Sequence, residues 1–158
     1  EQHTVLYRYA KGDYSSVVPA AFRKIMSIDE QAKIFGVYYD HPMKVAPAEQ
    51  RSAIGVVLRH GDSVLLDEAT KKKFIDQGFK EISFSPVAQS VSSWRYINSL
   101  TAMLPVANPI YKLYSDVKEY IAANNLQTTL VVELYGEGKI TVNFPLDNTK
   151  QYIVPETK

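Results

Sequence analysis

The stretch that decides the fold is "LVVELYGEGKITVNF", residues 130–144. Its two halves are rich in β-branched and aliphatic residues, and each has the length of a short strand. The segment "GEG" at 136–138 lies between them and is typical of a tight turn. The stretch therefore predicts a β-hairpin, with one unusual feature. A glutamate, Glu133, lies inside the first strand, two residues before Tyr135.

The segment before the hairpin predicts a helix. It is "NPIYKLYSDVKEYIAANN", residues 108–125, in which Asn108 can cap the first turn and Pro109 suits the first helical position. Apolar residues recur at helical spacing along one face, which we expect to pack on the core. They are Ile110, Leu113, Val117 and Ile121.

The rest of the chain predicts further strands and helices. The strands are expected at "HTVLYRYAKGDY" (3–14), "KIFGVYYD" (33–40), "RSAIGVVLR" (51–59), "FKEISF" (79–84) and "QSVSSWRYI" (89–97). A helix with a serine cap and a proline in its first turn is expected at "SSVVPAAFRKIM" (15–26). A second helix, "LLDEATKKKFIDQG" (65–78), is expected to end at Gly78. The glycines Gly36 and Gly55, inside strands, indicate bulges or close backbone approach.

The order strand, helix, strand, strand occurs twice, which indicates a duplicated unit. We predict an α+β fold of two β-α-β-β modules related by a pseudo-twofold axis, with antiparallel sheets, helices on one side and a groove between the halves. The expected boundaries are about 4–60 for the first half, 64–78 for a linking helix, 79–146 for the second half and 147–158 for an extended tail. Alignment of "FGVYY" with "VVELY" matches Tyr39 to Tyr135.

The composition narrows the classes of function. The chain has 158 residues, 46% of them hydrophobic, and a formal net charge of +1. This near-neutral charge and the lack of a basic stripe argue against direct binding of nucleic acid. There is no cysteine, so a disulfide framework or thiolate metal site is excluded. The chain opens without methionine or a signal-peptide pattern, so we expect it to be an excised domain whose parent carries any anchor.

Several ordered segments together carry a resemblance to a known family. They are "GVYYDHPMKVAP", "AIGVVL", "GFKEISF", "YIAANNL", "LVVELY", "FPL" and "YIVPETK", and they extend from about residue 4 to the C-terminus. In this pattern the chain resembles the GyrI-like family, whose fold is a pair of SHS2-type modules. The similarity is greatest to a eukaryotic branch of the family that includes a selective autophagy receptor of the endoplasmic reticulum (an ER-phagy receptor).

This resemblance implies a set of expectations. The domain would be the cytosolic recognition part of a protein anchored in the endoplasmic reticulum membrane, reaching the membrane only through an N-terminal anchor outside this chain. Its protein partners would be autophagy and segregase machinery, contacted mostly through other parts of the parent, with a possible role in repair of protein–DNA crosslinks. Some bacterial relatives instead bind flat cationic drugs, and others hydrolyse cyclopropane-bearing alkylators with a glutamate assisted by aromatic residues. No cofactor is implied.

Glu133 is the residue on which these alternatives depend. We expect Leu130, Val132 and Leu134 to face the helices, and Glu133 and Tyr135 to face the groove. A carboxylate beside aromatic rings would have a raised pKa and could move a proton or neutralise a bound cation. The resemblance places Glu133 at the family's functional glutamate. On the residues alone, a solvated strand glutamate is the favoured interpretation, and only the resemblance makes a ligand-facing role equally open.

Other candidate residues are assigned through the repeat or set aside. Glu133 and Tyr135 are the candidate catalytic pair, and the candidate ligand-binding set adds Tyr39, Trp94 and Tyr96, for which ordinary packing stays an alternative. No metal site is expected, because His3, His41 and His60 have no partners at ligand spacing. The domain is thus expected to be a recognition module rather than an enzyme, with a small-molecule binder or cyclopropanoid hydrolase as the alternative.

Overall fold

The computed structural model describes residues 2–85, 89–96, 109–147 and 149–157. The strands are β1 (His3–Lys11), β2 (Ile34–Tyr38), β3 (Arg51–His60), β4 (Ser63–Val64), β5 (Lys80–Phe84), β6 (Ser90–Tyr96), β7 (Val131–Gly136) and β8 (Lys139–Pro145). The α-helices are α1 (Tyr14–Ile28), α2 (Glu68–Asp76) and α3 (Pro109–Ala123). Short 3₁₀ helices occur at Pro47–Glu49, Thr149–Tyr152 and Pro155–Thr157.

The strands form one open antiparallel sheet. Its order is β5-β1-β3-β2-β7-β8-β6, and β4 pairs with β3 outside this path. The central pair, β2 and β7, joins the first part of the chain to the last, and in its register Gly36 lies opposite Glu133. The mixed α+β class with an antiparallel sheet is therefore as expected, although the strands of the two halves form a single sheet.

All three described helices pack on one face of this sheet, as expected. Ile25 of α1 and Phe74 of α2 are fully buried in one cluster with side chains of β1, β2 and β3. Leu113 and Val117 of α3, predicted to line the buried face of that helix, are buried against β8 in a second cluster. Within the described residues, no helix combines the length and the apolar character needed to cross a bilayer.

The prediction for the two faces of β7 was wrong. Glu133 and Tyr135 are on the helix face, because Tyr135 is paired with Ile34 and both belong to the side that α1 covers. Leu130 and Val132 lie on the opposite face, in a cluster that includes C-terminal residues. Both faces of this strand are covered, so its aliphatic residues did not indicate which face the helices occupy.

The C-terminal segment is folded onto the sheet rather than extended, which corrects the expectation of an extended tail. Val154 has no solvent exposure and packs beside Tyr39 on the face opposite the helices. The Tyr39 hydroxyl donates a 2.6 Å hydrogen bond to the carbonyl of Tyr152. Glu156 accepts from Tyr7 at 3.0 Å and pairs with Lys80 at 2.6 Å. This segment is the layer that closes the second side of the core.

Helix boundaries were predicted with mixed success. Helix α1 begins at Tyr14 and is capped by Asp13, whose carboxylate accepts from the backbone N–H of Ser15 at 2.9 Å, so the predicted serine cap was wrong. Pro19 is consequently inside the helix and not in its first turn. Asn108 and the side chain of Ile110 lie outside what the structure describes. Helix α2 ends as predicted before Gly78, which has φ +86°.

The turn and close-approach predictions are confirmed. The hairpin turn has two residues with positive φ, Glu137 at 55° and Gly138 at 68°, as a type I′ turn requires. At Gly55 the backbones of β1 and β3 approach so closely that a Cβ there would lie 1.8 Å from the carbonyl oxygen of Leu6. Only glycine fits at that position.

Candidate functional site

A large cavity lies on the helix face of the sheet, between α1 and α3. It has a volume of about 690 Å³. Helix α1 contributes one wall through Tyr14 and Val18, and α3 contributes the other through Tyr114 and Ile121. Strands β2 and β7 form the floor, where Glu133 is found. The cavity is therefore on the side of the sheet that the helices occupy, whereas the predicted groove was on the other face.

Glu133 is buried at the floor of this cavity, with 5% of its surface exposed. One carboxylate oxygen, Oε1, accepts a short hydrogen bond from the hydroxyl of Tyr114. The other, Oε2, accepts a short hydrogen bond from the hydroxyl of Tyr135. The hydroxyl of Tyr38 lies close to the same carboxylate and acts to lower its pKa. Three tyrosines from three different elements thus converge on one carboxylate.

The sequence positions these tyrosines through simple local features. Tyr38 is two residues beyond Gly36 on β2, so its ring can lie over the glycine and extend toward β7. Tyr135 is two residues beyond Glu133 and on the same face of β7, where the edge of Phe22 from α1 packs on it at 4.8 Å between ring centroids. Tyr114 comes from α3, whose neighbouring Leu113 is buried against β8.

Burial controls the electrostatics of the site. The pKa of Glu133 is raised because the carboxylate is removed from water, and the nearby hydroxyls of the three tyrosines only partly oppose this effect. Burial, together with the charge of Glu133, raises the pKa values of Tyr38, Tyr114 and Tyr135. These hydroxyls therefore stay protonated and act as donors. Among the described residues, no lysine, arginine or histidine forms an ion pair with Glu133.

One end of the cavity is formed by the segment after β2, which a polar network holds in place. Asp40 accepts hydrogen bonds from Arg51 through both carboxylate oxygens, each at 2.9 Å, and this pairing lowers the pKa of Asp40. The hydroxyl of Tyr14 donates to the carbonyl of Arg51 at 2.7 Å. Gln50 is buried, and its amide donates to the carbonyls of Pro42 and Val45. The charge of Asp40 is therefore already paired.

The rim of the cavity is positively charged. Lys118, on α3, lines the cavity while its side chain is exposed, and its Nζ lies 5.8 Å from the centroid of the Tyr114 ring. His41 lines the rim from the segment after β2. Its pKa is lowered, first by partial burial and then by the charges of Lys118 and Lys44. A buried carboxylate at the floor thus lies below one exposed cation, Lys118, at the rim, where the lowered pKa favours the neutral form of His41.

The structure brings together only two of the residues selected from the sequence. Glu133 and Tyr135 are in contact in the cavity. Tyr39 is on the opposite face of the sheet, where it packs with the C-terminal segment. Trp94 and Tyr96 lie on the edge strand β6, 49% and 73% exposed, and pack edge to face at 5.2 Å. Neither lines the cavity. The functional roles of Glu133 and Tyr135 stay predictions.

Two tyrosines of the site, Tyr38 and Tyr114, were missed. The repeat alignment matched Tyr39 to Tyr135, one residue out of phase with the face that the cavity occupies. The pairing of Gly36 with Glu133, had it been known, would have selected Tyr38, because side chains alternate along a strand. Tyr114 precedes the buried Val117 by three residues, so its position on the inner side of α3 could have been predicted from helical spacing.

The chemistry available to this site follows from its donors and acceptors. No cluster of three or more histidine, aspartate or glutamate side chains suited to a metal ion exists in the described part of the chain. A carboxylate in an apolar cavity can hold a cation, accept hydrogen bonds, or take a proton from a bound molecule. The domain is therefore an α+β fold with an acidic side chain at the floor of a largely apolar cavity.

Comparison with solved structures shows that the fold is shared with other proteins. An uncharacterized conserved protein from Listeria innocua aligns over 92% of this chain and 88% of its own, with a TM-score of 0.55 and 10% identity. The C-terminal domain of EcmrR aligns over 92% of each chain, with a TM-score of 0.52 and 12% identity. At such low identity the likeness is one of fold. No model of a protein family matches the chain.

Comparison with curated proteins gives two homologues. The chain is 28% identical to the Testis-expressed protein 264 homolog of Mus musculus over 158 residues, which is 98% of this chain and 48% of the relative. It is also 28% identical to Testis-expressed protein 264 of Homo sapiens, with the same coverage. The chain therefore spans about half the length of the curated relatives that it matches.

Proposed function

We propose that this chain is a GyrI-like ligand-binding domain whose cavity holds a small, largely apolar molecule with a positive charge. The observation that carries the proposal is the state of Glu133, which is buried at the cavity floor with no cationic partner among the described residues. A buried carboxylate without a counter-ion is costly. A bound cation would supply the missing charge, which is a physical reason for the protein to keep an acidic residue there.

The walls of the cavity favour an aromatic or hydrocarbon body on that ligand. The side chains of Val18, Ile121 and Phe144 give apolar surface, and a volume of about 690 Å³ is in the range of known small-molecule sites. The tyrosine rings beside Glu133 can add cation–π attraction. Both contributions are stronger for a flat or compact organic cation than for a hydrated inorganic ion.

A pair of isosteric probes tests the proposal. N-methylquinolinium and 1-methylnaphthalene have nearly the same shape, but only the first is charged. We expect the wild type to bind the cation more tightly than the neutral probe. In Glu133→Gln we expect the ratio of these two affinities to fall by about tenfold or more. Glu119→Gln, an exposed position on α3, is the matched control and should leave binding unchanged. Equal binding of the two probes to the wild type would contradict the proposal.

The homology to Testis-expressed protein 264 favours a second, compatible proposal at the level of the whole protein. We propose that the domain is the cytosolic recognition part of an ER-phagy receptor anchored in the endoplasmic reticulum, with a further role as an adaptor in repair of protein–DNA crosslinks. The test is an ER-turnover reporter in cells lacking the endogenous protein, rescued by the full-length parent with or without this domain. Equal rescue by both versions would contradict a recognition role.

Hydrolysis of a cyclopropane-bearing compound is the alternative activity for the same cavity. The raised pKa of Glu133 would suit a residue that takes a proton from an attacking water. Both carboxylate oxygens already accept hydrogen bonds from tyrosines, however, so a water would have to compete for them. A turnover assay with a duocarmycin-type compound, followed by mass spectrometry, distinguishes the activities. Product that is lost in Glu133→Gln would support the hydrolase.

We further propose that the domain arose by duplication of a β-α-β-β unit. The support is the sheet order, in which β1-β3-β2 of the first half is followed by β7-β8-β6 of the second, the mirrored order expected of a pseudo-twofold. Each half supplies one helix wall of the cavity, α1 or α3. The cavity would then lie on the pseudo-twofold axis, with Gly36 and Glu133 facing each other across it.

A further inference from the structure

The cavity has an acidic group at its floor, Glu133, and a cation at its rim, Lys118. Glu133 is buried at the floor, whereas Lys118 lines the rim and is exposed. The other acidic side chain that lines the cavity, Asp40, is already paired with Arg51. Among the described residues, no carboxylate forms an ion pair with Lys118. The floor and the rim therefore each present one unmatched sign of charge.

A single side chain, Tyr114, lies between Glu133 and Lys118 and sets the distance between their charges. Its hydroxyl donates to Glu133, while the Nζ of Lys118 lies 5.8 Å from the centroid of its ring. A ligand that contacts both charges must therefore carry its own two charges a few bonds apart. Tyr114 and Lys118 are separated by four residues on α3, so one helix face presents both.

The hydrogen bonds at the floor decide which kind of cation fits best. Both oxygens of Glu133 already accept a hydrogen bond, one from Tyr114 and one from Tyr135. A primary ammonium brings three N–H donors that need acceptors when they are buried. A quaternary ammonium has no N–H donors, and it interacts well with tyrosine rings and a carboxylate at close range. The floor thus favours a quaternary ammonium.

From these observations we infer that the cavity is selective for a zwitterion of the phosphocholine type, with a quaternary ammonium held at Glu133 and an anionic phosphate held at Lys118. This inference rests on the proposed ligand-binding function and adds to it the sign and position of a second ligand charge. The apolar walls formed by Val18 and Ile121 accommodate an attached hydrocarbon portion. Such a headgroup occurs both in free small molecules and in lipids of a bilayer.

Three probes of equal chain length test the inference by calorimetry: hexylphosphocholine, hexyltrimethylammonium and hexyl phosphate. We expect hexylphosphocholine to bind the wild type about fivefold more tightly than hexyltrimethylammonium, the size of effect that a solvent-exposed ion pair supports. Hexyl phosphate, which lacks the cation, should bind weakest. Because Lys118 is exposed, the fivefold advantage should shrink as salt is raised.

Matched variants test the contributions of Lys118 and Glu133 separately. Lys118→Met keeps the length of the side chain and should remove the advantage of hexylphosphocholine while leaving hexyltrimethylammonium unaffected or slightly better bound. Lys72→Met is the control, since Lys72 is an exposed lysine on α2 that pairs with Asp76. It changes the net charge equally and should leave both affinities as in the wild type. Glu133→Gln should weaken both quaternary probes about thirtyfold or more.

The failures of the inference and of the proposed function are distinguishable. Equal affinity for the two quaternary probes, or an unchanged ratio in Lys118→Met, overturns the zwitterion and leaves the cation site intact. Loss of binding for every cation, N-methylquinolinium included, overturns both. Sedimentation with phosphatidylcholine vesicles identifies the source of the ligand. Co-sedimentation that depends on Glu133 indicates a headgroup in a bilayer, and binding of the monomeric probe alone indicates a free molecule.

Discussion

The phenol ring of Tyr38 lies directly against the backbone of Gly36, and this contact brings its hydroxyl to the buried carboxylate of Glu133. A Cβ at position 36 would lie 2.9 Å from the Tyr38 hydroxyl oxygen and 3.0 Å from a ring carbon. Gly36 and Glu133 are directly opposite in the pairing of β2 with β7. The glycine therefore leaves the space through which a tyrosine on one strand reaches an acid on the next.

We predict that Gly36→Ala displaces the Tyr38 ring and weakens the binding of cations. The added methyl group overlaps the hydroxyl, and over-packing of this kind costs about 1–3 kcal/mol of unfolding free energy. Urea denaturation and titration with N-methylquinolinium measure the two effects. Tyr38→Phe removes the hydroxyl without displacing the ring, so it should lower affinity with a smaller loss of stability. Wild-type stability and affinity in Gly36→Ala would show that the contact is unimportant.

A second prediction concerns pH. Burial raises the pKa of Glu133 above its ordinary value of 4.5, so the folded state binds this proton more tightly than the unfolded state does. The protonated form therefore contributes stability that is complete below the unfolded pKa and is lost as pH rises through the folded pKa. In Glu133→Gln this loss is absent. We expect the variant to gain stability relative to the wild type above about pH 4.5, by about 1.4 kcal/mol for each unit of the shift.

The measurement is the unfolding free energy of the wild type and of Glu133→Gln between pH 4 and pH 8. Groups other than Glu133 titrate alike in the two proteins, so their contributions cancel when one free energy is subtracted from the other. The gain must level off once the pH exceeds the folded pKa of Glu133. A difference that is independent of pH would mean that Glu133 titrates alike in the folded and unfolded chains. A variant that is more stable and binds no cation would show that the acid is kept for binding rather than for stability.

The hydrogen bond from Tyr114 to Glu133 should appear as an energetic coupling. In a double-mutant cycle, Tyr114→Phe and Glu133→Gln should show an interaction energy of about 0.5–3 kcal/mol, as expected for residues in one hydrogen-bond network. Tyr7→Phe is the control partner, because Tyr7 lies on the opposite face and bonds to Glu156. Its effect should add to that of Glu133→Gln. Additivity in the Tyr114 cycle would contradict the network.

Much of the fold could be predicted because it depends on local signals. The hairpin at 136–139 follows from the glycines that flank Glu137, and the end of α2 follows from Gly78. The choice of face for β7 could not be predicted, because it depends on which distant segment covers each side of the sheet. The C-terminal residues around Val154 cover the second side, and nothing in their composition distinguishes them from an exposed tail.

The sequence predicted the acidic residue of the site, Glu133, but not most of the residues around it. Glu133 was recognisable because a glutamate in an apolar strand is costly unless something compensates for its burial. Its other neighbours come from other elements: Tyr38 is brought near by the pairing of β2 with β7, and Tyr114 by the packing of α3 on β8. An alignment of the two halves that is wrong by one residue moves Tyr38 to the other face and selects Tyr39 instead.

The final prediction tests whether the C-terminal segment is part of the folded core. Val154 has no exposure and packs with Tyr39, whereas the adjacent Ile153 is 36% exposed. Val154→Ala removes apolar surface equivalent to two buried methyl groups. It should therefore lower the unfolding free energy by about 2 kcal/mol. Ile153→Ala should change it by no more than about 0.5 kcal/mol. Urea denaturation distinguishes them, and equal effects would mean that the segment does not pack on the sheet in solution.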